Sequence, residues 1–427
     1  METQIPKGWR QVALRSVCEP TRIWNPLREP RDEFWYVDVS AVSRESLAIQ
    51  APQKVKAAQA PSRARKIIQT GDAIFATVRP TLRRIAFVEK QYDNQIASTA
   101  FCIVRANRQE AVPRFLYYAL QTEFFNEEVA KFQSGASYPA VNDKDVLNQI
   151  IALPLSPEQE KIAAVLWTIQ RAIEVEAKLS ANARELKQSA MRQLFTLGLR
   201  NERQRETEIG LIPKSWRIVE CDSICEMITV GIVVKPASHY VDNAVPAFRS
   251  LNIREDRLDT NKIVFISKKA NDTILSKSKL RTDDVLVVRT GYPGTSCVVP
   301  PEYNGANCID LVIVRPKQNI VLSAFLSRFF NSESGCSQAL RSSTGLAQQH
   351  LNVGAVKRTL IPIPAIAEQK EIAAILQTID RKISVHERKR AALSDLFQTM
   401  LHQLMTAQIR VDKLDIDTSE VENLAGK

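Results

Sequence analysis

The sequence predicts an α+β chain made of two pseudo-symmetric mixed α/β domains, each followed by one long helix. Three observations carry this reading. The 427 residues repeat in a nearly fixed register, each copy alternates short β-like runs with polar turns, and each copy ends in an unbroken heptad pattern.

The repeat comes first. Ile5-Pro-Lys-Gly-Trp9 returns as Ile212-Pro-Lys-Ser-Trp216, and Val17-Cys-Glu19 as Ile224-Cys-Glu226, both at an offset of 207. Phe101-Cys-Ile-Val-Arg105 matches Leu311-Val-Ile-Val-Arg315, and Phe115-Leu116 matches Phe325-Leu326, at an offset of 210. Glu158-Gln-Glu-Lys-Ile-Ala-Ala-Val-Leu166 matches Glu368-Gln-Lys-Glu-Ile-Ala-Ala-Ile-Leu376, and the same register reaches Gln193-Leu194 against Gln403-Leu404. Residues 20–70 and 227–280 share little. A common frame with dissimilar interiors fits two modules selected for different targets better than a duplicated scaffold, which would drift evenly.

Within each copy the elements follow in order. β-like runs occupy Ala73–Val78, Thr99–Val104, Val285–Arg289 and Leu311–Val314. Ser156-Pro-Glu-Gln159 reads as a helix start, with Ser as N-cap and Pro in the first turn, and Gly198 as its stop. At 1.5 Å per residue each helix is roughly 60 Å long. The expected divisions are a first domain over 1–155, a helix over 156–197 and a linker over 198–211. A second domain follows over 212–365, then a helix over 366–409 and an acidic tail over 410–427.

The second helix sets Ile372, Leu376, Ile379, Ile383, His386, Arg390, Leu393, Phe397, Met400 and Leu404 at alternating steps of four and three, a coiled-coil seam. The first carries Ile162, Leu166, Ile169 and Ile173, then Glu176, Ser180, Ala183, Lys187, Ala190 and Leu194, with Leu179 and Leu186 one position away in the weaker half. So long an apolar stripe needs a partner. The nearest is its own repeat; the rival is a parallel homodimer.

Composition narrows function. A net charge of +11 suggests a polyanionic partner. No apolar stretch is long enough to cross a bilayer, and the N-terminus lacks a signal-peptide layout, so a cytoplasmic protein with no membrane partner is expected. Seven cysteines without paired spacing read as reduced, buried thiols, and Cys221 and Cys225 have no second pair to complete a zinc site. Histidines at 239, 350, 386 and 402 form no metal or triad pattern.

The ordered combination of variable region then helix, twice, resembles the specificity subunits of type I restriction–modification systems over nearly the whole chain. It rests on Ile-Pro-x-x-Trp opening each copy and on Pro-x-x-x-Glu-Gln-x-x-Ile-Ala-Ala at Pro154–Ala164 and Pro364–Ala374. Arg289-Thr-Gly291 after a β run adds to it; Val78-Arg79-Pro80 departs at the equivalent place. The resemblance implies two target-recognition domains separated by an antiparallel coiled-coil helix pair. It also implies double-stranded DNA as ligand, two adenine-N6 methyltransferase subunits as partners, and restriction (nuclease-translocase) subunits that can join. S-adenosylmethionine, ATP and Mg would then sit on those partners, with no cofactor here. The residues agree. There is no Asn/Asp-Pro-Pro-aromatic run, no glycine-rich methyl-donor loop and no P-loop, so a non-catalytic chain is expected. A stand-alone DNA-binding regulator and a coiled-coil scaffold remain as readings of other classes.

Candidate DNA contacts lie where strands end in loops. In the first copy these are Arg79, Arg83 and Arg84, with Ser137 and Tyr138 from Ser134-Gly-Ala-Ser-Tyr138. In the second they are Arg289 and Tyr292, with Gln348, Gln349 and His350 from the loop before the second helix. Arginine can grip guanine and glutamine adenine in the major groove. A core position for Tyr138 and an ordinary polar turn for Gln-Gln-His are the plainer alternatives. Lys262, Lys268, Lys269, Lys277, Lys279 and Arg281 read equally well as a solvated face or as phosphate contacts. If the helices pack antiparallel about a central pseudo-twofold axis, opposed residues have numbers summing to 566, which sets Glu176 against Arg390 and leaves Lys187 awkwardly against Ile379.

Overall fold

The computed structural model describes residues 7–25, 29, 31–341 and 350–420. The chain divides into two compact units, Met1–Lys178 with His386–Lys427, and Leu179–Val385. Two continuous helices, Ser156–Leu197 and Ile366–Met405, contribute half of their length to each unit.

In the first unit, Arg10–Ala13 pairs antiparallel with Ile150–Leu153. Ala73–Ala76 sits between Ile85–Phe87 and Phe101–Val104 in a three-stranded sheet. The segment that resists alignment supplies three strands of a separate four-stranded sheet, in the order Gln53–Lys56, Glu33–Val37, Gln95–Ser98, Ala64–Ile68, with Gln95–Ser98 joining from beyond it. One core joins this domain to the helices. Trp9, Phe75, Phe115 and Tyr118 pack with Ile162 and Leu166 of the first helix and with Phe397, Leu401 and Leu404 of the second. The start of one helix therefore meets the end of the other, which is antiparallel packing.

The second unit repeats the plan. Arg217–Glu220 pairs with Leu360–Ile363. Four strands follow in the order Cys225–Val230, Leu311–Pro316, Val285–Val288, Ser296–Val298. Trp216, Phe325 and Phe329 pack with Met191, Leu194 and Phe195 and with Ile372, Leu376 and Ile379. Within 198–211, expected as linker, the strand Gln204–Thr207 pairs with Gly210–Pro213. All seven cysteines are free thiols. No helix among the described residues is long and apolar enough to cross a membrane.

The repeated motifs turn out to be joints. The Trp9 indole donates to buried Glu158 at 3.1 Å, and Trp216 donates to Glu368 at 3.3 Å. The neighbouring glutamines strap each domain to its helix. Gln159 accepts from the Val112 amide at 2.8 Å and donates to the Pro154 carbonyl at 2.9 Å; Gln369 does the same with Leu322 and Pro364 at 2.9 and 3.0 Å. The arginine closing each matched β run makes a two-pronged pair with a buried aspartate, Arg105 with Asp72 and Arg315 with Asp284. Such pairs fix orientation as well as adding energy.

Three local expectations change. The first helix begins one residue early: the Leu155 carbonyl accepts from the Glu158 and Gln159 amides, so Ser156 and Pro157 take the first helical positions instead of Ser156 capping. Proline is harmless there because first-turn amides have no helical acceptor. Leu179 and Leu186 do not reinforce the seam; they are 41% and 53% exposed, while Ser180 and Lys187 are buried. Glu176 meets His386 Nδ1 at 2.6 Å and Lys389 Nζ at 3.8 Å rather than Arg390. In knobs-into-holes packing a side chain faces a gap between partners about one turn apart, so a rule pairing single residues can miss by that turn. Lys187 is rescued by ions: Asp380 at 2.8 Å and Asp256 at 3.1 Å.

Candidate nucleic-acid interface

The strand Ala73–Ala76 runs into a tight turn whose two arginines both adopt left-handed backbone, Arg79 at φ 50° and Arg83 at φ 51°. That region is costly for a residue with a side chain, and such strain concentrates where function demands it. The turn is held by the loop before the first long helix. The Arg79 amide donates to the Pro139 carbonyl at 2.7 Å, and Val78 bridges Ala140. The fold therefore brings Arg79, Ser137 and Tyr138, which the sequence placed on two separate loops, into one corner. The Arg79 guanidinium lies 5.0 Å from the Tyr138 ring centroid and 3.4 Å from the Ser137 carbonyl. Tyr138 is 71% exposed, which removes the core reading. Its ring is an open stacking face, and the stacked guanidinium keeps most of its donors for a ligand.

The other two arginines part company. Arg83 is exposed and makes only a loose pair with Glu123 at 3.4 Å, so its charge stays available. Arg84 turns inward and spends its guanidinium on the Val39 and Val42 carbonyls. Its role is to hold residues 39–42 against the strand.

The second copy builds the same corner with different chemistry. Arg289 follows Val285–Val288, and Thr290 bridges His350 as Val78 bridges Ala140. Here the guanidinium is engaged on three sides. It pairs with Asp310 at 2.6 Å, donates to the Leu351 carbonyl at 3.2 Å, and donates to His350 Nε2. Because a guanidinium only donates, Nε2 accepts and the proton sits on Nδ1, 3.1 Å from Thr290 Oγ1. Tyr292, 81% exposed, is the outward group of this corner. Gln348 and Gln349 lie outside the described residues. Lys262, Lys268, Lys269 and Lys277 are exposed, whereas Lys279 pairs with Asp272.

Sequence reasoning missed Asp310 and Ser137's carbonyl as partners of the two arginines. The signal for Asp310 was faint, a lone charge two residues beyond Cys308 and immediately before the run Leu311–Val314 read as strand. Among the described residues no group of His, Cys, Asp or Glu could hold a metal.

Comparison with known proteins adds an independent line. A family model described as the type I restriction modification DNA specificity domain matches residues 6–184 and 213–395. The type I restriction enzyme EcoBI specificity subunit of Escherichia coli is 24% identical over 345 residues, 75% of this chain and 71% of that one. A chain solved in work on complex assembly and conformational transition of the type I R-M system is 28% identical. It superposes with a TM-score of 0.58 over 94% of this chain and 98% of its own. The type I restriction-modification S subunit from M. genitalium shares the fold at a TM-score of 0.58 and 13% identity, over 95% of this chain and 98% of its own.

Proposed function

The chain belongs to the type I restriction–modification DNA specificity family, a class of non-catalytic subunits, and from that premise we propose that it reads an asymmetric, bipartite DNA site, one half through each domain. The observation that carries this reading is the pair of corners. The same strand end and the same bridging loop present Arg79, Ser137 and Tyr138 in one copy, and Arg289, Tyr292 and His350 in the other. Equivalent placement with unlike side chains is what reading two different half-sites requires. Arg79, Arg83 and Tyr138 face the first half-site, and Tyr292 and His350 the second, with Gln348 and Gln349 beside them in sequence. The exposed lysines of the second domain contact phosphates and give the binding its salt dependence.

Two adenine-N6 methyltransferase subunits dock on the domains and helices and bring S-adenosylmethionine; restriction subunits join with ATP and Mg. The test is methylome sequencing of cells expressing this chain with a cognate methyltransferase subunit. Two unlike half-sites of roughly three to five base pairs flanking an unspecified spacer are expected, set about one helical turn apart centre to centre. A continuous or palindromic motif would contradict the proposal.

A further inference from the structure

Where each domain leans on the helix pair, the two units use the same positions for opposite chemistry. In the second unit, Arg328 Nη1 lies 2.8 Å from Asp380 and 3.2 Å from Asp256, and Lys187 Nζ lies 2.8 and 3.1 Å from the same two carboxylates. Lys187, Arg328 and Asp256 are each less than a tenth exposed. Asp256 and Arg328 come from the domain, Lys187 and Asp380 from the two helices.

The 210-residue register names the counterparts in the first unit. Arg328 corresponds to Tyr118, Asp380 to Gln170 and Lys187 to Phe397. There the Tyr118 ring packs 6.0 Å from Phe397, and its hydroxyl donates to Gln170 Oε1 at 3.0 Å. The match extends into the region that sequence could not align. Asp256 and Leu47 are both left-handed, at φ 56° and 50°, and both receive a hydroxyl from the same helical position: Ser327 Oγ reaches the Asp256 carboxylate at 3.1 Å, and Tyr117 reaches the Leu47 carbonyl at 2.9 Å. One layer is a ring of four charges, the other an aromatic pair with neutral hydrogen bonds.

We infer that these layers are keys that match each variable domain to its own seat on the helices, so a domain can enter the second seat only if it carries a carboxylate at position 256 and a cation at position 328. A domain with the aromatic key would leave Lys187 and Asp380 without their ring partners; a domain with the ionic key in the first seat would bury Asp256 and Arg328 against Phe397 and Gln170. In either mismatch each remaining pair keeps only its own member, Lys187 with Asp380 or Arg328 with Asp256, and buried charges that lose half their partners are unfavourable, whereas wholesale replacement by matched neutral groups is tolerated. The inference does not depend on which bases are read.

Two experiments on the full-length chain decide it. In the first, thermal unfolding is measured for Arg328→Tyr, Asp380→Gln and the double variant. Arg328→Tyr alone, which leaves two carboxylates to one ammonium, lowers the melting temperature by roughly 10 °C. Adding Asp380→Gln recovers at least half of that shift; simple additivity of the two effects overturns the idea. In the second, residues 5–153 replace residues 212–363, putting an aromatic-key domain in the ionic seat. The chimera carrying Lys187→Phe with Asp380→Gln melts higher than the chimera without them; equal melting overturns the inference. Should neither chimera fold, the first experiment decides alone.

Discussion

The carboxylate of Glu176 and the imidazole Nδ1 of His386 stand 2.6 Å apart in a polar layer of the antiparallel helices, with Lys389 at 3.8 Å on the other carboxylate oxygen. Polar layers inside an apolar seam penalise slipped registers at some cost in stability. Glu176→Arg is expected to destabilise the protein by about 1–2 kcal/mol in urea unfolding, a modest figure because the pair is partly solvated. Adding His386→Glu restores most of that loss, and adding Arg390→Glu restores less. Equal rescue by both would place the register elsewhere.

The tryptophan–glutamate joints make a second expectation. Glu158 also takes a two-pronged bond from Arg410, at 2.6 and 2.8 Å, whereas Glu368 adds the Leu199 amide at 3.1 Å. Trp9→Phe and Trp216→Phe each remove one bond to a charged acceptor and should cost about 1.5–3 kcal/mol. Glu158→Ala should cost more than Trp9→Phe, since it strands both an indole and a guanidinium. Differential scanning calorimetry of the three variants would show the ranking.

DNA contact and structural support separate cleanly at the arginine turn. Arg79→Ala is expected to weaken binding to the first half-site by about 1–3 kcal/mol, roughly 5- to 150-fold, and to leave discrimination at the second unchanged. Arg84→Ala strands two carbonyls and should lower stability by about 1–3 kcal/mol without altering which bases are preferred. Competition binding of the reconstituted complex to oligonucleotides mutated in one half at a time reads both. A change of base preference in Arg84→Ala would reassign that residue to the interface.

How far these relationships could be read in advance depended on their distance along the chain. The repeat, the helices and the strand ends follow from local pattern and register, because periodicity and turn chemistry act over a few residues, whereas the meeting of Arg79 with Tyr138 joins two distant loops and is set by the fold. Lys187 looked misplaced in a seam because its partner Asp256 lies 69 residues away in the divergent region. Arg84 and Arg79 are the same residue type five positions apart, and only the fold decides that one guanidinium is turned inward onto two carbonyls and the other lies over the exposed Tyr138 ring. The Leu186 expectation failed for a related reason: a hydrophobic residue beside a seam position need not rotate into it when the buried Lys187 ion pairs already fill the layer, and beside Leu179 the small Ser180 takes the buried position.

The ionic ring predicts an alkaline limit. Burial works to lower the Lys187 pKa, but Asp256 and Asp380 outweigh it and hold the ammonium above its ordinary 10.5. A cation held up in this way contributes stability that is fully present below pH 10.5 and is lost as pH climbs through the higher folded-state value. The wild type should therefore lose stability above that pH relative to Lys187→Met with Asp380→Asn, which lacks the titrating ammonium. Urea midpoints of the two proteins, compared at pH about 9 and about 11.5, measure the difference; parallel curves would mean Lys187 does not titrate with unfolding.

The division of the chain into a contiguous inner unit and an outer one drawn from both ends sets an order of birth. Leu179–Val385 is complete once its own residues have left the ribosome. The outer unit holds Tyr118 and Leu166 early in the chain but must wait for Phe397, Leu401 and Leu404 to cover them. Closing a flexible loop of about two hundred residues costs about 5 kcal/mol of chain entropy. An inner unit that folds first, fastening its helix segments through Lys187 and Asp380, removes most of that loop before the outer core needs to close. A chain stopped short of Phe397 is thus left with a finished centre and an uncovered aromatic face at its beginning, the kind of nascent species that chaperones bind.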